Sequence, residues 1–172
     1  MKTFIKTSAL IFFVSLSLKG IAQEMTPPKP AENKVLDAMA GEWTGVSEMM
    51  GMKFNDNLKF YWNLNHQFMF LETKAVGKDN PNMTYSGFAI IGVNPDGTAK
   101  VWWFDDWGTM GTASGTGTFG DMKFTSNTSN EMYKDSHTFE VSGNELTITW
   151  NSTMSVGGKE QKMEGKTVYK KK

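Results

Sequence analysis

Residues 56–65 read DNLKFYWNLN, and from Leu58 onward large apolar side chains at even numbers alternate with mostly polar ones at odd numbers. Successive side chains of a β-strand point to opposite faces of its sheet, so a period of two predicts a strand with one buried face. The predicted inward-facing set of this strand is Leu58, Phe60, Trp62 and Leu64.

Similar short runs recur along the chain, separated by turn residues. Hairpin turns are predicted at 94–97 (NPDG), 143–144 (GN) and 157–158 (GG), where glycine or asparagine tolerates the backbone that a tight turn needs. No long helical pattern interrupts the series, so neighbouring runs should pair as antiparallel hairpins. The predicted strands, about ten in number, are 42–53, 56–65, 67–77, 83–93, 98–106, 109–118, 121–128, 131–141, 144–155 and 160–170.

Ahead of the strands, residues 32–40 (ENKVLDAMA) place Val35, Leu36 and Met39 at helical spacing, and Gly41 follows as a stop signal. A meander of about ten strands can close on itself and leave no exposed edge. The sequence therefore predicts an all-β fold, an antiparallel up-and-down β-barrel of about ten strands with one short N-terminal helix.

The first residues have the layout of a secretory signal peptide. Lys2 and Lys6 precede an apolar run at 9–18, and a small-residue pattern ends at Ala22. The run is too short for a membrane anchor, since spanning a bilayer takes roughly 20 apolar residues. We therefore expect a signal peptide at 1–22, a flexible leader at 23–31 and a single barrel domain at 32–172. The mature protein should be periplasmic or secreted, with no integral membrane segment.

Composition excludes several classes of function. All 18 basic residues are lysine, against 18 acidic residues, and the chain has no cysteine. Without arginine the planar guanidinium that reads phosphates and guanine edges is missing, so we expect no nucleic-acid partner. Without cysteine the chain can be neither a disulfide scaffold nor a lipid-modified lipoprotein.

Residues 100–117 read KVWWFDDWGTMGTASGTG, the most aromatic stretch of the chain. Asp105 and Asp106 are neighbours on a predicted strand, so their side chains point to opposite faces and cannot form a two-carboxylate catalytic site. Alternation groups Trp103 with Asp105, but both faces are aromatic, so the pattern does not decide which one is inside. Asp105 is predicted either to contact a ligand or to anchor the turn at Gly108. The glycines beyond it give space to bulky neighbours.

The predicted strand 131–141 mixes polar and aromatic groups on its odd-numbered face, which carries Tyr133, Asp135, His137 and Phe139. Such groups in a barrel interior can orient a small ligand. An inward-facing neutral imidazole can also be a haem ligand, whereas a zinc site would need three or four close ligands that the sequence does not offer. The other histidine, His66, is predicted to be a solvated turn residue.

Methionine is abundant, with 13 residues in the chain. The soft thioethers of Met49, Met50 and Met52 raise the hypothesis of a copper(I) site. The competing interpretation is that methionine serves as an adaptable filler of apolar surfaces. Alternation predicts that Met50 and Met52 point one way and Met49 the other.

Five segments resemble, in order and spacing, a bacterial lipocalin-like family of unknown function, domain of unknown function family 1579. They are LDAMAGEWTG at 36–45, LNHQF at 64–68, IGVN at 91–94, WFDD at 103–106 with the glycines beyond, and TVYK at 167–170. A short helix leading into a Gly-x-Trp strand is also similar to the start of lipocalins and of nitrobindin-type haem-binding barrels. The resemblance implies a lipocalin, fatty-acid-binding or nitrobindin-like barrel and brings no catalytic residues. The chain differs at residues 65–67, where the family tends to have Gly-Gly-Arg, and after Tyr169, where lysines replace an arginine.

The leading hypothesis is a non-enzymatic barrel that binds a small, mainly apolar molecule, without a metal or an obligatory cofactor. A packed barrel acting as an envelope or protein-interaction module is the alternative, and a haem-binding barrel is a lesser one. The sequence does not indicate protein partners. The predicted ligand-binding residues are Trp62, Trp103, Asp105, Tyr133, His137, Phe139 and Trp150.

Overall fold

The computed structural model describes residues 28–172, so the predicted signal peptide and residues 23–27 of the leader lie outside the described residues. Ten antiparallel strands form a closed barrel in which β1 lies between β2 and β10. This confirms the predicted all-β barrel and its short helix, α1 (Lys34–Met39). The strands are β1 (Gly41–Met49), β2 (Met52–Asn63), β3 (Phe68–Gly77), β4 (Thr84–Val93), β5 (Ala99–Asp105), β6 (Ala113–Phe119), β7 (Lys123–Ser129), β8 (Tyr133–Ser142), β9 (Glu145–Val156) and β10 (Lys159–Lys171). Within 28–172 no helix is long and apolar enough to cross a membrane.

Three predicted strand boundaries are wrong, each because the chain turns where alternation suggested that it continues. The run 42–53 contains a hairpin, since Met50 and Gly51 adopt positive φ angles of 54° and 77°. Leu64 is not an inward-facing residue: its φ is 51°, it belongs to the β2–β3 turn and its side chain is 60% exposed. The run 109–118 begins with a 3-10 helix (Gly108–Met110), and β6 starts only at Ala113.

The turn at Met50 also overturns the predicted directions of the three methionines. Met49 and Met52 are direct partners across the β1–β2 hairpin, so they share a face, and Met50 is exposed in the turn between them.

Helix α1 closes one end of the barrel. The side chain of Asn33 caps it by accepting hydrogen bonds from the backbone N–H groups of Val35 and Leu36, both at 3.1 Å. Val35, Leu36 and Met39 are fully buried against the core. The indole N–H of Trp43 donates to the carbonyl of Met39 at 2.8 Å and ties the helix to β1. We call this the closed end.

The part of the leader that the structure describes is also fixed at the closed end. The Gln67 side chain donates to the carbonyl of Lys29 at 2.8 Å, and the Ala31 N–H donates to the carbonyl of His66 at 2.9 Å. His66 is not simply a solvated turn residue, because its ring stacks on Trp62 with centroids 4.1 Å apart. Residues 28–31 therefore contact the β2–β3 turn.

At the opposite end, where β5 ends and β8 begins, residues 28–172 form no helix comparable to α1. We call it the open end, and the half of the interior next to it the open half. Partly buried inward-facing residues occur in both halves: Trp62, Val93 and Phe119 lie near α1, and Trp103, Asp105 and Trp150 lie in the open half. The largest fully buried side chains, among them Trp43, Phe60 and Phe124, lie in the half next to α1.

Candidate functional site in the open half

The strand register shows which face of β5 points into the barrel, which alternation alone did not. Directly opposed residues share a face of the sheet. Trp103 is opposite Ala89 on β4 and Ala113 on β6, and both alanines are buried. Phe104 is 40% exposed on the other face. Trp103 and Asp105 therefore face the interior, and Trp102 and Phe104 face outward.

Asp105 both anchors the turn after β5 and faces the interior. Its Oδ2 atom accepts hydrogen bonds from the Tyr85 hydroxyl at 3.0 Å and the Trp103 indole N–H at 3.1 Å, and its Oδ1 atom accepts from the backbone N–H of Trp107 at 3.0 Å. A side chain at position 111 would collide with this carboxylate, so Gly111 is required for the close approach. Burial and the adjacent Asp105 carboxylate both raise the pKa of Tyr85, which keeps its hydroxyl proton available to donate.

Strand β8 supplies the second polar wall. The Tyr133 hydroxyl donates to the carbonyl of Gly111 at 2.6 Å and so links β8 to the loop after Asp105. Burial, followed by the nearby carboxylates of Asp135 and Asp105, raises the pKa of Tyr133 to about 12. Burial lowers the pKa of His137, against the opposing effect of Asp135, so its imidazole is neutral at pH 7.

Asp135 has an incompletely satisfied carboxylate. Burial raises its pKa, the Ser152 hydroxyl and His137 act in the opposite direction, and Asp105 adds to the increase. Its Oδ1 atom is buried and has no hydrogen-bond partner among the described residues. Buried polar atoms are normally paired, so this oxygen departs from the usual pattern.

Two inward-facing tryptophans lie across glycines of the neighbouring strands. A Cβ atom at Gly87 would lie 2.6 Å from Cη2 of Trp103, and one at Gly165 would lie 2.6 Å from Nε1 of Trp150. Both distances are well inside van der Waals contact, so each ring occupies the space that a side chain would fill. The rings are thereby placed against the barrel wall.

A third inward-facing carboxylate, Asp56, lies on β2. It is 6% exposed, its Oδ2 atom accepts a hydrogen bond from the Tyr169 hydroxyl at 2.9 Å, and its buried Oδ1 atom has no partner within the described chain. Burial raises the pKa of Asp56, and hydrogen bonds with the Ser47 and Tyr169 hydroxyls lower it by a smaller amount. Gly45 on β1 lies between Asp56 on β2 and Tyr169 on β10, and its lack of a side chain leaves room for the Tyr169 ring to reach Asp56.

The structure brings five of the seven predicted ligand-binding residues into the open half: Trp103, Asp105, Tyr133, His137 and Trp150. Trp62 lies instead at the closed end, where its indole N–H donates to Asp37 at 2.8 Å. Phe139 faces inward but is 7% exposed and packs between Phe60 and Phe124, so it belongs to the core.

Sequence reasoning missed Tyr85, Asp56 and the unpaired state of Asp135. The alternation that placed Leu58 inside also places Asp56 inside, two residues earlier, and the same rule on β8 includes Asp135. The sequence gave no comparable signal for Tyr85. Its inward orientation is shown only by its pairing with Ala75 on β3.

Two shallow depressions lie on the outer surface of the barrel. One, of about 280 Å³, lies over β4 and β5 between Phe88 and Phe104. The other, of about 400 Å³, crosses β7, β8 and β9 and is lined mainly by outward-facing polar residues such as Lys134 and Asn151. Both are open to solvent and lack the enclosure that small-molecule sites usually have. Within 28–172, no group of three or more histidine, cysteine or acidic side chains is placed to hold a metal ion.

No protein-family model and no curated protein sequence matches the chain. Among solved structures, the chain is similar to the protein Rv2717c from M. tuberculosis, with a TM-score of 0.62 and 14% sequence identity over 83% of this chain and 99% of that one. At this identity the similarity supports the barrel fold alone.

Proposed function

We propose that the protein binds a small, mainly apolar molecule in the open half of its barrel. The observation that carries the proposal is the contrast between the two halves. The closed half holds the largest fully buried side chains, such as Trp43 and Phe60, whereas in the open half Trp103 and Trp150 lie over glycines at the wall and are only partly buried. An apolar enclosure with a few convergent polar groups is the usual form of a small-molecule site.

The rim of the open end is consistent with passage of an apolar molecule. Exposed methionines or tryptophan occur in several of the turns at this end, at Met50, Met83, Trp107, Met110 and Met132. Methionine side chains are flexible and polarisable and adapt to different apolar partners. The rim therefore offers an apolar entrance that can change shape.

The packed-barrel alternative predicts that the open half is simply a looser part of the core. It accounts less well for the two buried carboxylate oxygens without partners, since interior polar atoms in a finished core are normally satisfied. We therefore rank it second.

Haem is the lesser alternative, and the described residues fit it poorly. His137 offers a neutral imidazole on the inner face, but its ring is stacked against Phe139 with centroids 6.2 Å apart. The inner face also carries the carboxylates of Asp105 and Asp135, which would repel the propionates of haem. We derive no haem-dependent step.

We also propose that the protein is not an enzyme. Ser126 lies directly opposite His137, yet no hydrogen bond joins the two side chains within the described chain. A serine nucleophile requires a base within hydrogen-bond reach and donors for the developing oxyanion. Secretion to the periplasm or beyond, and membership of the family of unknown function, are likewise proposals that rest on the sequence.

A matched pair of substitutions on β3 tests the proposed cavity. Ala75 is opposite inward-facing Asp56, whereas its neighbour Val76 is exposed on the outside. With the neutral apolar probe N-phenyl-1-naphthylamine, whose fluorescence rises in apolar surroundings, we expect Ala75→Phe to weaken binding by about tenfold and Val76→Phe to leave it unchanged. Thermal melts of both variants control for loss of fold. Absence of probe binding to the unaltered protein, or equal effects of the two substitutions, would contradict the proposal.

A further inference from the structure

Two sides of the outer wall of the barrel differ in chemistry. Along the described strands, the outward-facing positions of β2–β5 carry six aromatic residues, whereas those of β1 and β6–β10 carry none and consist mainly of threonine, serine, asparagine and charged residues. We call the six side chains the outer aromatic face, and they are Tyr61, Phe68, Phe70, Phe88, Trp102 and Phe104.

The six side chains form one continuous surface. The ring of Phe70 contacts those of Tyr61 and Phe88 edge to face, with centroids 5.6 and 5.2 Å apart. Phe68 and Trp102 make a further edge contact, with centroids 6.4 Å apart. All six side chains are at least partly exposed. Contiguous exposed apolar patches on a protein surface mark interaction sites.

The lysines on this side of the barrel have no anionic partner. The outward-facing positions of β2–β5 carry four lysines against one acid, Glu72, which accepts a hydrogen bond from the Tyr61 hydroxyl at 2.7 Å. A second acid, Asp106, follows β5 and accepts from the backbone N–H of Ser86 at 2.9 Å. None of the four lysines forms an ion pair within residues 28–172. They are Lys53, Lys59, Lys74 and Lys100.

Two of these lysines lie along the aromatic rings. The ammonium groups of Lys59 and Lys100 are each 5.3 Å from a ring centre, over Tyr61 and Trp102 respectively. In this arrangement the aliphatic stem of lysine covers apolar surface and its charge reaches the border. Aromatic rings bordered by lysine are also typical of the interfacial layer of a bilayer, where the rings lie at headgroup level and the cations attract anionic lipids.

The outer aromatic face continues onto the rim of the open end. Phe104 is 40% exposed on β5, and in the segment that follows Trp107 and Met110 are 59% and 56% exposed. A single contact surface can therefore include both the barrel wall and the apolar entrance.

A second copy of the chain is a poorer occupant of this face. A two-fold contact would place the same patch of both copies together, including the lysines that lack partners. Like charges brought together oppose association. An anionic bilayer instead supplies the missing opposite charge and, being fluid, adapts to the convex wall of a barrel.

We propose that the outer aromatic face docks the protein on the surface of a membrane that contains anionic lipids. The rings enter the interfacial layer, and Lys59, Lys74 and Lys100 contact lipid phosphates. The rim of the open end then lies beside the bilayer. This inference goes beyond the proposed function, because docking requires no ligand inside the barrel.

Vesicle co-sedimentation tests the docking. The protein used begins at Gln23, because the helix and the ten strands lie within residues 28–172 and the apolar run at 9–18 would confound lipid binding. We expect binding at least about tenfold tighter to vesicles of equal parts phosphatidylcholine and phosphatidylglycerol than to phosphatidylcholine alone, and weaker binding as the salt concentration rises. Absence of binding to both vesicles, or equal binding to both, would refute the inference.

A matched pair of charge reversals locates the docking face. Lys59→Glu with Lys100→Glu changes the aromatic side, and Lys134→Glu with Lys166→Glu changes the net charge equally on the outer faces of β8 and β10. We expect the first pair to weaken binding to the mixed vesicles by at least about tenfold and the second by less than about twofold. Equal losses would show that binding follows net charge alone and would overturn the assignment to this face. Thermal melts of both variants control for loss of fold.

Phe104→Ser tests the contribution of the rings, since this side chain is 40% exposed and its loss leaves the lysines in place. We expect binding to the mixed vesicles to weaken by about fivefold. Unchanged affinity would contradict docking through the rings. Sedimentation velocity without lipid checks the competing occupant: a dimer that Phe104→Ser dissociates would assign the face to a second copy instead.

Discussion

Gly87→Ala tests whether the position of the Trp103 ring keeps the open half empty. The added Cβ would lie 2.6 Å from Cη2 of Trp103 and 3.0 Å from Cγ2 of Thr73, whereas carbon atoms at optimal contact are about 3.5–4.0 Å apart. The tryptophan ring must therefore move away from the wall by about 1 Å or change rotamer.

Two losses combine in this variant. Forcing an extra methyl group into a packed site reduces the free energy of unfolding by about 1–3 kcal/mol. Displacing the ring also breaks the 3.1 Å hydrogen bond from its indole N–H to Asp105, and a hydrogen bond to a charged group contributes about 1.5–3 kcal/mol. Because the ring can relax towards open space, we expect a total loss of about 2–4 kcal/mol, measured by urea unfolding, together with weaker binding of N-phenyl-1-naphthylamine.

Gly120→Ala is the matched control. Gly120 lies in the β6–β7 turn at the closed end, and the nearest atom to its added Cβ would be Cβ of Lys123 at 3.7 Å, an ordinary contact. We expect its unfolding free energy to stay within about 0.5 kcal/mol of the unaltered protein. If Gly87→Ala is equally neutral and probe binding is unchanged, Gly87 does not determine the position of the Trp103 ring. That result would contradict the proposed cavity.

Three further outcomes follow from the same structure. Asp56→Asn should stabilise the protein relative to the unaltered chain above about pH 4. The pKa of Asp56 is raised in the fold, so its favourable contribution to stability is present below its ordinary pKa and is lost as the pH rises through the folded-state pKa. Urea unfolding of both proteins at several pH values would detect the difference. Trp150→Ala should weaken binding of N-phenyl-1-naphthylamine as well as lower stability by about 3–5 kcal/mol, whereas a loss of stability with unchanged probe affinity would favour the packed barrel. Protein produced with added haem should show no Soret absorption band, and a band that disappears in His137→Ala would establish the haem alternative instead.

The fold was predictable because it depends on a property that each strand shows by itself. Residues 58–62 alternate, and so do the other runs, so the number of strands and their antiparallel order follow without knowledge of any contact. The errors occurred where local backbone geometry overrides alternation. Met50 and Leu64 look like continuations of their strands but take positive φ angles, which are uncommon for side chains of this kind.

The site was less predictable because it depends on relations between strands. The sequence of residues 100–106 does not show whether Trp102 or Trp103 faces the interior. The strand register shows it, because Trp103 is directly opposite Ala89 and Ala113, which are distant from it in sequence. The pairing of Trp150 with Gly165 is likewise a matter of register. A single sequence shows that aromatic residues and glycines are both present, but only the register shows that one lies over the other.

The two segments in which the chain differs from the family that we propose for it both lie at the closed end. Asn65 and His66 have positive φ angles of 56° and 60° in the β2–β3 turn, and that turn holds the leader through Gln67. The lysines after Tyr169 lie at the same end, where the ammonium group of Lys171 sits 5.1 Å from the centre of the Trp43 ring. An arginine at either position would act on the plug formed by α1 and the leader, and would add no positive charge to the acidic middle of the open half.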